Sequence, residues 1–284
     1  IKHYHDIFCQ RVHAMIEHSI EINPQMSGFW YVVNKGRIFL NEKGEIPNGT
    51  LQSLGLPASE HCLQIGLWQQ QPIYLLIHQD SIEDESKWHT ARALLTHPES
   101  MWFEIAARAT QLALFLQTHR YCGQCGCAMR LVSWELAMLC HKCGHRVYPR
   151  ISPCILVAVV KDDQILLARS KRHKPGFFSI LAGFVESGET LEQAAVREVA
   201  EEVGVKINNL RYVGSQPWPF PHSLMAGFMA DYVSGDIRCQ PNEIEEAYWF
   251  NITALPEIPP VQTLSGQMIA QAQSEIASKS GLNQ

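Results

Sequence analysis

The chain has 284 residues, 46% hydrophobic and 18% charged, with a formal net charge of −5. Two or three domains are expected at this length, and the negative balance argues against a sequence-blind nucleic-acid binder, which carries a basic face. No run approaches the roughly 20 apolar residues of a membrane span, and the mixed, His-rich start Ile1 to Gln10 has no secretory pattern; a cytoplasmic protein is expected.

Residues 1–26 read as a helical extension. Ile7, Val12, Met15, Ile16 and Ile20 recur near helical spacing, and Asn23-Pro24 stops the run. From residue 27 the text changes to short apolar runs, FWYVV, RIFL, CLQIGLW and IYLLI, separated by turn residues. These read as strands of a small β-rich domain spanning residues 27–120. That domain ends in a linking helix from Pro98 to His119, with Trp102, Ile105, Ala106, Ala109, Leu112 and Leu116 on one face.

Residues 121–150 hold two close cysteine pairs, Cys122/Cys125 and Cys140/Cys143, in a chain of nine cysteines. Each CxxC presents two thiolates to one metal, and Gly126 and Gly144 permit a tight turn after each pair. Two pairs make the closed Cys₄ tetrahedron of a structural Zn²⁺ site. LVSWELAML between them suits a hairpin that brings the pairs together. The competing readings are a redox pair or two disulfides, and an odd cysteine count favours a reducing compartment.

Residues 151–278 carry the second signal. CILVAVV (154–160) and QILLAR (164–169) flank Asp162-Asp163 as a hairpin, and FFSILA (177–182) reads as a third strand. Lys171, Arg172, His173 and Lys174 precede it; they read equally as a solvated loop and as a phosphate contact. Then comes GFVESGETLEQAAVREVAEEVGV, Gly183 to Val205. Its first part reads as a loop, because Gly183 and Gly188 allow backbone angles a side chain forbids. Its second part is a helix with Thr190 and Gln193 as a capping box and Gly204 as the C-terminal stop. Glu198, Glu201 and Glu202 fall one turn apart on one side. Like charges at that spacing destabilise a helix, and a hard divalent cation removes the repulsion. Mg²⁺ or Mn²⁺ suits oxygen ligands and completes its shell with water and phosphate oxygens. The chemistry implied is metal-assisted attack of water on phosphorus. The alternative is a solvated acidic helix face.

Farther on, Ser215 to Ser223 reads SQPWPFPHS. Three prolines in five positions stiffen the backbone and hold Trp218 and Phe220 as rigid platforms for a planar base. Gln216 and Ser223 add hydrogen-bonding capacity. Composition alone fits a stiff connector with buried aromatics equally well.

The Gly183–Val205 stretch resembles, at every defining position, the signature of the Nudix hydrolases, Gly-x5-Glu-x7-Arg-Glu-aliphatic-x-Glu-Glu-x-Gly-aliphatic. With SQPWPFPxS after it and a Cys₄ ribbon before it, the chain resembles the NADH pyrophosphatases of the NudC type, from about Phe29 to about residue 277. The resemblance implies an α/β protein: a Nudix α/β/α sandwich with a mixed sheet, preceded by the ribbon and the β-rich domain, working as a homodimer. It implies hydrolysis of the pyrophosphate of NADH or NAD⁺ to nicotinamide mononucleotide and AMP, and removal of an NAD cap from RNA 5′ ends. By position it makes Glu198, Glu202 and Glu243 the metal carboxylates, with the Ala182 backbone carbonyl beside them. It has Glu189 support the loop through Arg197. Gln216, Pro217, Trp218, Pro219, Phe220, Pro221, His222 and Ser223 would hold the nucleotide, and Phe184 and Tyr148 would pack near the nicotinamide. Ser265, where the family has alanine, and Arg92 of the N-terminal domain are further candidate substrate contacts. Either Glu201 or Glu202 would orient or deprotonate the attacking water. The rivals are another nucleoside diphosphate substrate such as ADP-ribose, and a non-catalytic ribbon adaptor.

Overall fold

The computed structural model describes residues 23, 25–56, 62–78 and 84–279. The N-terminal helix expected over residues 1–26 falls almost wholly outside the described residues. The chain divides into two compact units, residues 1–150 and 151–284.

The first unit begins with strands β1 (Ser27–Asn34), β2 (Arg37–Phe39) and β3 (Asn48–Thr50), followed by the one-turn helix α1 (Leu51–Leu54). Strands β4 (Cys62–Trp68), β5 (Gln71–Ile77) and β6 (Trp88–Thr90) and helix α2 (Ser100–Thr118) follow. The sheet order is β4-β5-β1-β2-β6, with β3 also paired to β1. β1 and β5 are parallel. The remainder of this unit is a three-stranded antiparallel ribbon of β7 (Arg130–Leu131), β8 (Met138–Leu139) and β9 (Arg146–Val147).

The second unit repeats the same plan with longer elements. Strands β10 (Ser152–Lys161), β11 (Gln164–Ser170) and β12 (Leu181–Phe184) lead to helix α3 (Leu191–Val203). Strands β13 (Lys206–Trp218), β14 (Ser223–Ser234) and β15 (Ile244–Asn251) lead to helix α4 (Leu264–Lys279). The order is β13-β14-β10-β11-β15, with β12 paired to β10, and β10 is parallel to β14. Both faces of this sheet are covered, which explains why β10 reads as an unbroken apolar run. Ile155, Val157 and Val159 face Ala194, Ala195, Val199 and Val203 of α3. Leu156 and Ala158 face Met268, Ile269, Ala272 and Ile276 of α4. The result is a mixed sheet between two helical layers.

The two sheets share strand order and the place of each helix in the chain, yet of the equivalent pair α1 and α3 only α3 has length. Both helices open on a threonine cap followed by leucine: Thr50-Leu51 with a Ser53 capping box, and Thr190-Leu191 with a Gln193 capping box. Both end on a left-handed glycine, Gly55 and Gly204. α1 stops after one turn and carries no carboxylate.

Three local expectations are corrected. FFSILA is not one strand: the regular strand is Leu181–Phe184, while Ser179 makes a single bridge to Ala168. Gly183 therefore sits in a strand, with an ordinary extended backbone, rather than in a loop; of the two glycines read as loop residues, it is Gly188, at φ 92°, that needs glycine's freedom. SQPWPFPHS is not a free-standing loop either. Ser215 to Trp218 close β13, Ser223 opens β14, and Trp218 pairs with Ser223 across the turn. Pro217 is tolerated because β13 is an edge strand, where one side needs no ladder donor.

Candidate active site

The site forms where β12 meets α3. Arg197, on the first half of α3, organises it. Its Nε and Nη2 donate to the two oxygens of Glu189 at 2.6 and 2.9 Å. Nη1 donates to Glu198 at 2.9 Å and to Glu201 at 3.0 Å, and Nη2 also reaches the Phe184 carbonyl at 2.9 Å. Glu189 in turn accepts from the Glu186 N–H at 2.9 Å. One guanidinium thus ties the loop to the helix and fixes three carboxylates, a use that suits its planar fork of donors. Arg197 and the Glu186 N–H hold the Glu189 carboxyl at about 2.

Glu198 and Glu202 are 9% and 6% exposed, among the few buried charged residues. Burial raises Glu198, against the opposing pull of Arg197. Glu202 is pushed up to about 8, first by burial, then by the charges of Glu198 and Glu243; the Ala182 N–H opposes this by donating to it. Glu202 Oε2 is buried and has no hydrogen-bond partner. A buried carboxylate oxygen without a partner is costly, and a cation is the group that would relieve it. Gly183 faces the Glu198 carboxylate so closely that a Cβ would collide with it. That contact is the reason for glycine here.

Glu243, which only the family resemblance singled out, acts on this cluster from the turn before β15. The Gln240 N–H donates to the Glu202 carbonyl at 2.8 Å, and the Gln240 carbonyl accepts from Glu243 and Ile244 at 3.3 and 3.0 Å. Gln240 therefore fixes Glu243 relative to the end of α3. Phe184 is 56% exposed at the end of β12. Ala182 precedes Gly183 in the same strand.

The nucleotide-loop candidates are placed together, but some are engaged elsewhere. Gln216 is engaged at both ends of its amide: its Nε2 donates to the Gln262 carbonyl at 3.0 Å and its Oε1 accepts from the Leu264 N–H at 2.8 Å. It ties β13 to the start of α4, next to Ser265. Trp218 and Phe220 stand edge to face at 5.1 Å. Pro219 and Ser223 are buried, Pro221 is exposed, and His222 Nδ1 lies 3.1 Å from Ser152 Oγ. Tyr148 and Arg92 belong to the first unit. Tyr148 is 52% exposed, and its hydroxyl donates to Glu135 at 3.1 Å. Arg92 is exposed in a short 3₁₀ turn. Glu135 was missed in the sequence. It also accepts from Arg146 at 2.8 Å and Trp134 at 3.2 Å, and so holds the ribbon's aromatic side chains.

In the ribbon the sulfurs of Cys122, Cys125, Cys140 and Cys143 all lie within 4.8 Å of one another. The Cys122–Cys143 and Cys125–Cys140 separations are 3.6 and 3.5 Å. Tetrahedral thiolates about 2.3 Å from zinc stand roughly 3.8 Å apart, so the quartet fits that ion. Gly126 and Gly144, both at φ 74°, make the turns after each pair. The Cys143 N–H holds the Cys140 thiol at about 6, which favours the thiolate. Among the described residues no other group of His, Cys, Asp and Glu converges to this degree; the α3 carboxylates stand farther apart.

Comparison with known proteins agrees with this layout. Residues 27–113 match the NADH pyrophosphatase-like rudimentary NUDIX domain, 117–148 the NADH pyrophosphatase zinc ribbon domain, and 150–272 the NUDIX domain. The chain is 45% identical over 249 residues to the NAD-capped RNA hydrolase NudC of Edwardsiella ictaluri, covering 88% of this chain and 94% of that one. It is 47% identical over 242 residues to the protein of the same description from Shigella boydii, covering 85% and 91%. The chain belongs to the NudC family of Nudix hydrolases. A NUDIX hydrolase structure from Nitrosomonas europaea is 20% identical, covering 58% of this chain and 94% of that one, with a TM-score of 0.45. The NudC assignment accounts for the first unit: its sheet is a rudimentary Nudix plan, and α1 keeps the threonine cap without the carboxylates.

Proposed function

We propose that the chain hydrolyses the pyrophosphate of NADH or NAD⁺ to nicotinamide mononucleotide and AMP, and removes the NAD cap of RNA to leave a 5′-monophosphate. The observation that carries the hydrolase reading is the buried, unpartnered Glu202 oxygen beside Glu198, with the Glu243 charge acting on both. Three carboxylates meeting around one buried, unpartnered oxygen form a donor set that fits a cation. Oxygen donors of this kind suit Mg²⁺ or Mn²⁺. Glu198, Glu202 and Glu243, with the Ala182 carbonyl, would hold the ions. When bound, such ions offset phosphate charge and acidify a water.

The chain's own residues do the rest. Arg197 keeps Glu198 and Glu201 in place and, through Glu189, holds the loop that follows β12. Glu202 or Glu201 takes or orients the proton of the attacking water. Phe184 at the end of β12, and Trp218 and Phe220 on the β13–β14 turn, offer ring faces to the two bases, which orients the linkage. Gln216 acts indirectly, by fixing the start of α4 and with it Ser265. The substrate reading is supported by the printed description of the relatives, NAD-capped RNA hydrolase. The structural zinc stays in the ribbon, with all four positions filled by sulfur. The proposal includes a cytoplasmic homodimer, to which Tyr148 would contribute; sedimentation would read twice the 32.1 kDa chain. Among the described residues no helix is long and apolar enough to cross a membrane.

The test is competition between NADH, ADP-ribose and an NAD-capped RNA under Mg²⁺ or Mn²⁺, read as relative kcat/KM. The proposal expects NADH and the capped RNA to outrun ADP-ribose. A preference for ADP-ribose would replace it.

A further inference from the structure

After β11 the chain reads Ser-Lys-Arg-His-Lys-Pro-Gly, residues 170–176. In a chain of net charge −5, this is an unusual local concentration of cations. The loop is shaped by its own backbone. The His173 N–H donates to the Ser170 carbonyl at 2.9 Å, and the Arg172 N–H to Ser170 Oγ at 3.3 Å. The Phe177 N–H donates to the Lys174 carbonyl at 3.2 Å, with Gly176 at φ 84° closing that second turn. The loop is also tied to the acidic cluster. The Lys171 N–H donates to the Glu243 carbonyl at 3.3 Å, and Ser170 pairs with Ile244 in the β11–β15 ladder.

The charges on and beside this loop are not equivalent. Lys174 is paired with Glu257 at 2.6 Å, and Arg169, just before it, with Glu246 at 2.5 Å. The His173 ring meets the Phe177 ring at 5.1 Å. Lys171 and Arg172 are exposed at the tip of the first turn. Among the described residues neither has an ion-pair partner, although the backbone of Lys171 is bonded to that of Glu243.

We propose that Lys171 and Arg172 hold the first phosphodiester groups of an RNA whose capped 5′ end occupies the carboxylate site. The inference rests on the decapping reading and adds the path by which the RNA leaves the site. A free dinucleotide has only its pyrophosphate, which the carboxylate-held ions would engage. An RNA adds one phosphodiester per nucleotide. Glu198, Glu201, Glu202 and Glu243 repel those groups, so a cation at the rim must hold them. Contacts of this kind position a strand without reading its sequence. The negative balance of the whole chain limits the hold to the first nucleotides.

The experiment compares wild type with the double variant Lys171→Ala/Arg172→Ala on NADH and on an NAD-capped RNA decamer. Exposed pairs are individually weak, so two together predict a loss of about tenfold in kcat/KM on the capped RNA. NADH should change by less than about twofold. Each neutralised phosphate of a single strand adds about 0.7 to the salt slope. Two contacts therefore make wild type lose about sevenfold more than the variant when salt rises about fourfold. The swap Lys171→Arg/Arg172→Lys should keep the wild-type preference. Binding of a 5′-monophosphate RNA decamer, followed by fluorescence anisotropy, reads the loop without any cleavage. Equal losses on both substrates, or an unchanged salt slope, would overturn the proposal. If wild type cleaves neither substrate, the decapping reading fails on its own; identical decamer binding by wild type and variant would then overturn the loop assignment separately.

Discussion

Replacing Glu202 with Gln is expected to stabilise the protein free of Mg²⁺ and Mn²⁺ while removing its activity. The carboxyl moves from 4.5 to about 8 in the fold, because it is buried beside Glu198 and Glu243. A group raised in this way contributes its full stability below the unfolded value and loses it as pH rises through the folded one. Below pH 4.5 acid and amide are both neutral, and the two proteins should match. Above it wild type loses about 1.4 kcal/mol per pH unit, a ceiling of about 5 kcal/mol at pH 8. Relaxation and water at the cleft reduce that figure, and buried unpaired polar groups in proteins cost about 1–3 kcal/mol. For the second unit this corresponds to about 3–10 °C in Tm. The assay is thermal unfolding of both proteins at pH 6 and pH 8 after dialysis against divalent-free buffer, with one zinc per chain verified. The variant should melt higher, and the gap should widen from pH 6 to pH 8. Added Mg²⁺ should stabilise wild type and leave the variant unmoved, and activity should fall at least about 100-fold. A variant less stable than wild type at pH 8, or a gap independent of pH, would refute the assignment of a strained, cation-seeking Glu202.

Three further outcomes follow from the same geometry. Gly183→Ala places a Cβ against the Glu198 carboxylate, which is the free end of a side chain and can move away. Activity should drop about 100-fold for a displacement of about 1 Å, with Tm close to wild type; unchanged activity would mean that Glu198 need not lie against Gly183. Cys143→Ser should release the zinc in a chelator-dye assay and loosen the ribbon, whereas Cys127→Ser should retain one zinc per chain; zinc retained by Cys143→Ser would sink the quartet. Glu189, held at about 2 by Arg197, contributes stability that is present above pH 4.5 and lost as pH falls through about 2. The difference in unfolding stability between wild type and Glu189→Gln should therefore be full at neutral pH and close in acid, and a difference that persists at pH 2 would contradict the pairing.

What the sequence made legible was local. Thr190, Gln193 and Gly204 mark the ends of α3 because capping acts over three or four residues. The cysteine quartet is readable because two CxxC turns carry their own geometry. Gly183 was readable as necessary but not for the right reason: its constraint is a contact with Glu198, fifteen positions on. The SQPWPFPHS stretch reads as a stiff loop because prolines dominate it, and only the edge position of β13 lets it remain a strand. Gln216 reads as a ligand contact, and only the fold shows its second task, bonding the Gln262 carbonyl and the Leu264 N–H where α4 begins. The Nudix plan of the first unit was invisible, since α1 is cut to one turn and has lost every carboxylate that would mark it.

The central claim is that Glu198, Glu202 and Glu243, with Glu198 held in place by Arg197, serve the cleavage of a pyrophosphate in a NAD-linked substrate. The direct measurement is chromatographic product analysis of zinc-loaded protein incubated with NADH, with and without Mn²⁺ or Mg²⁺. The account predicts reduced nicotinamide mononucleotide and AMP in equal amounts, formed only with the divalent ion present. No cleavage of NADH or of NAD-capped RNA, with the ion bound and the fold intact, would contradict it and favour a ribbon adaptor with an inert site.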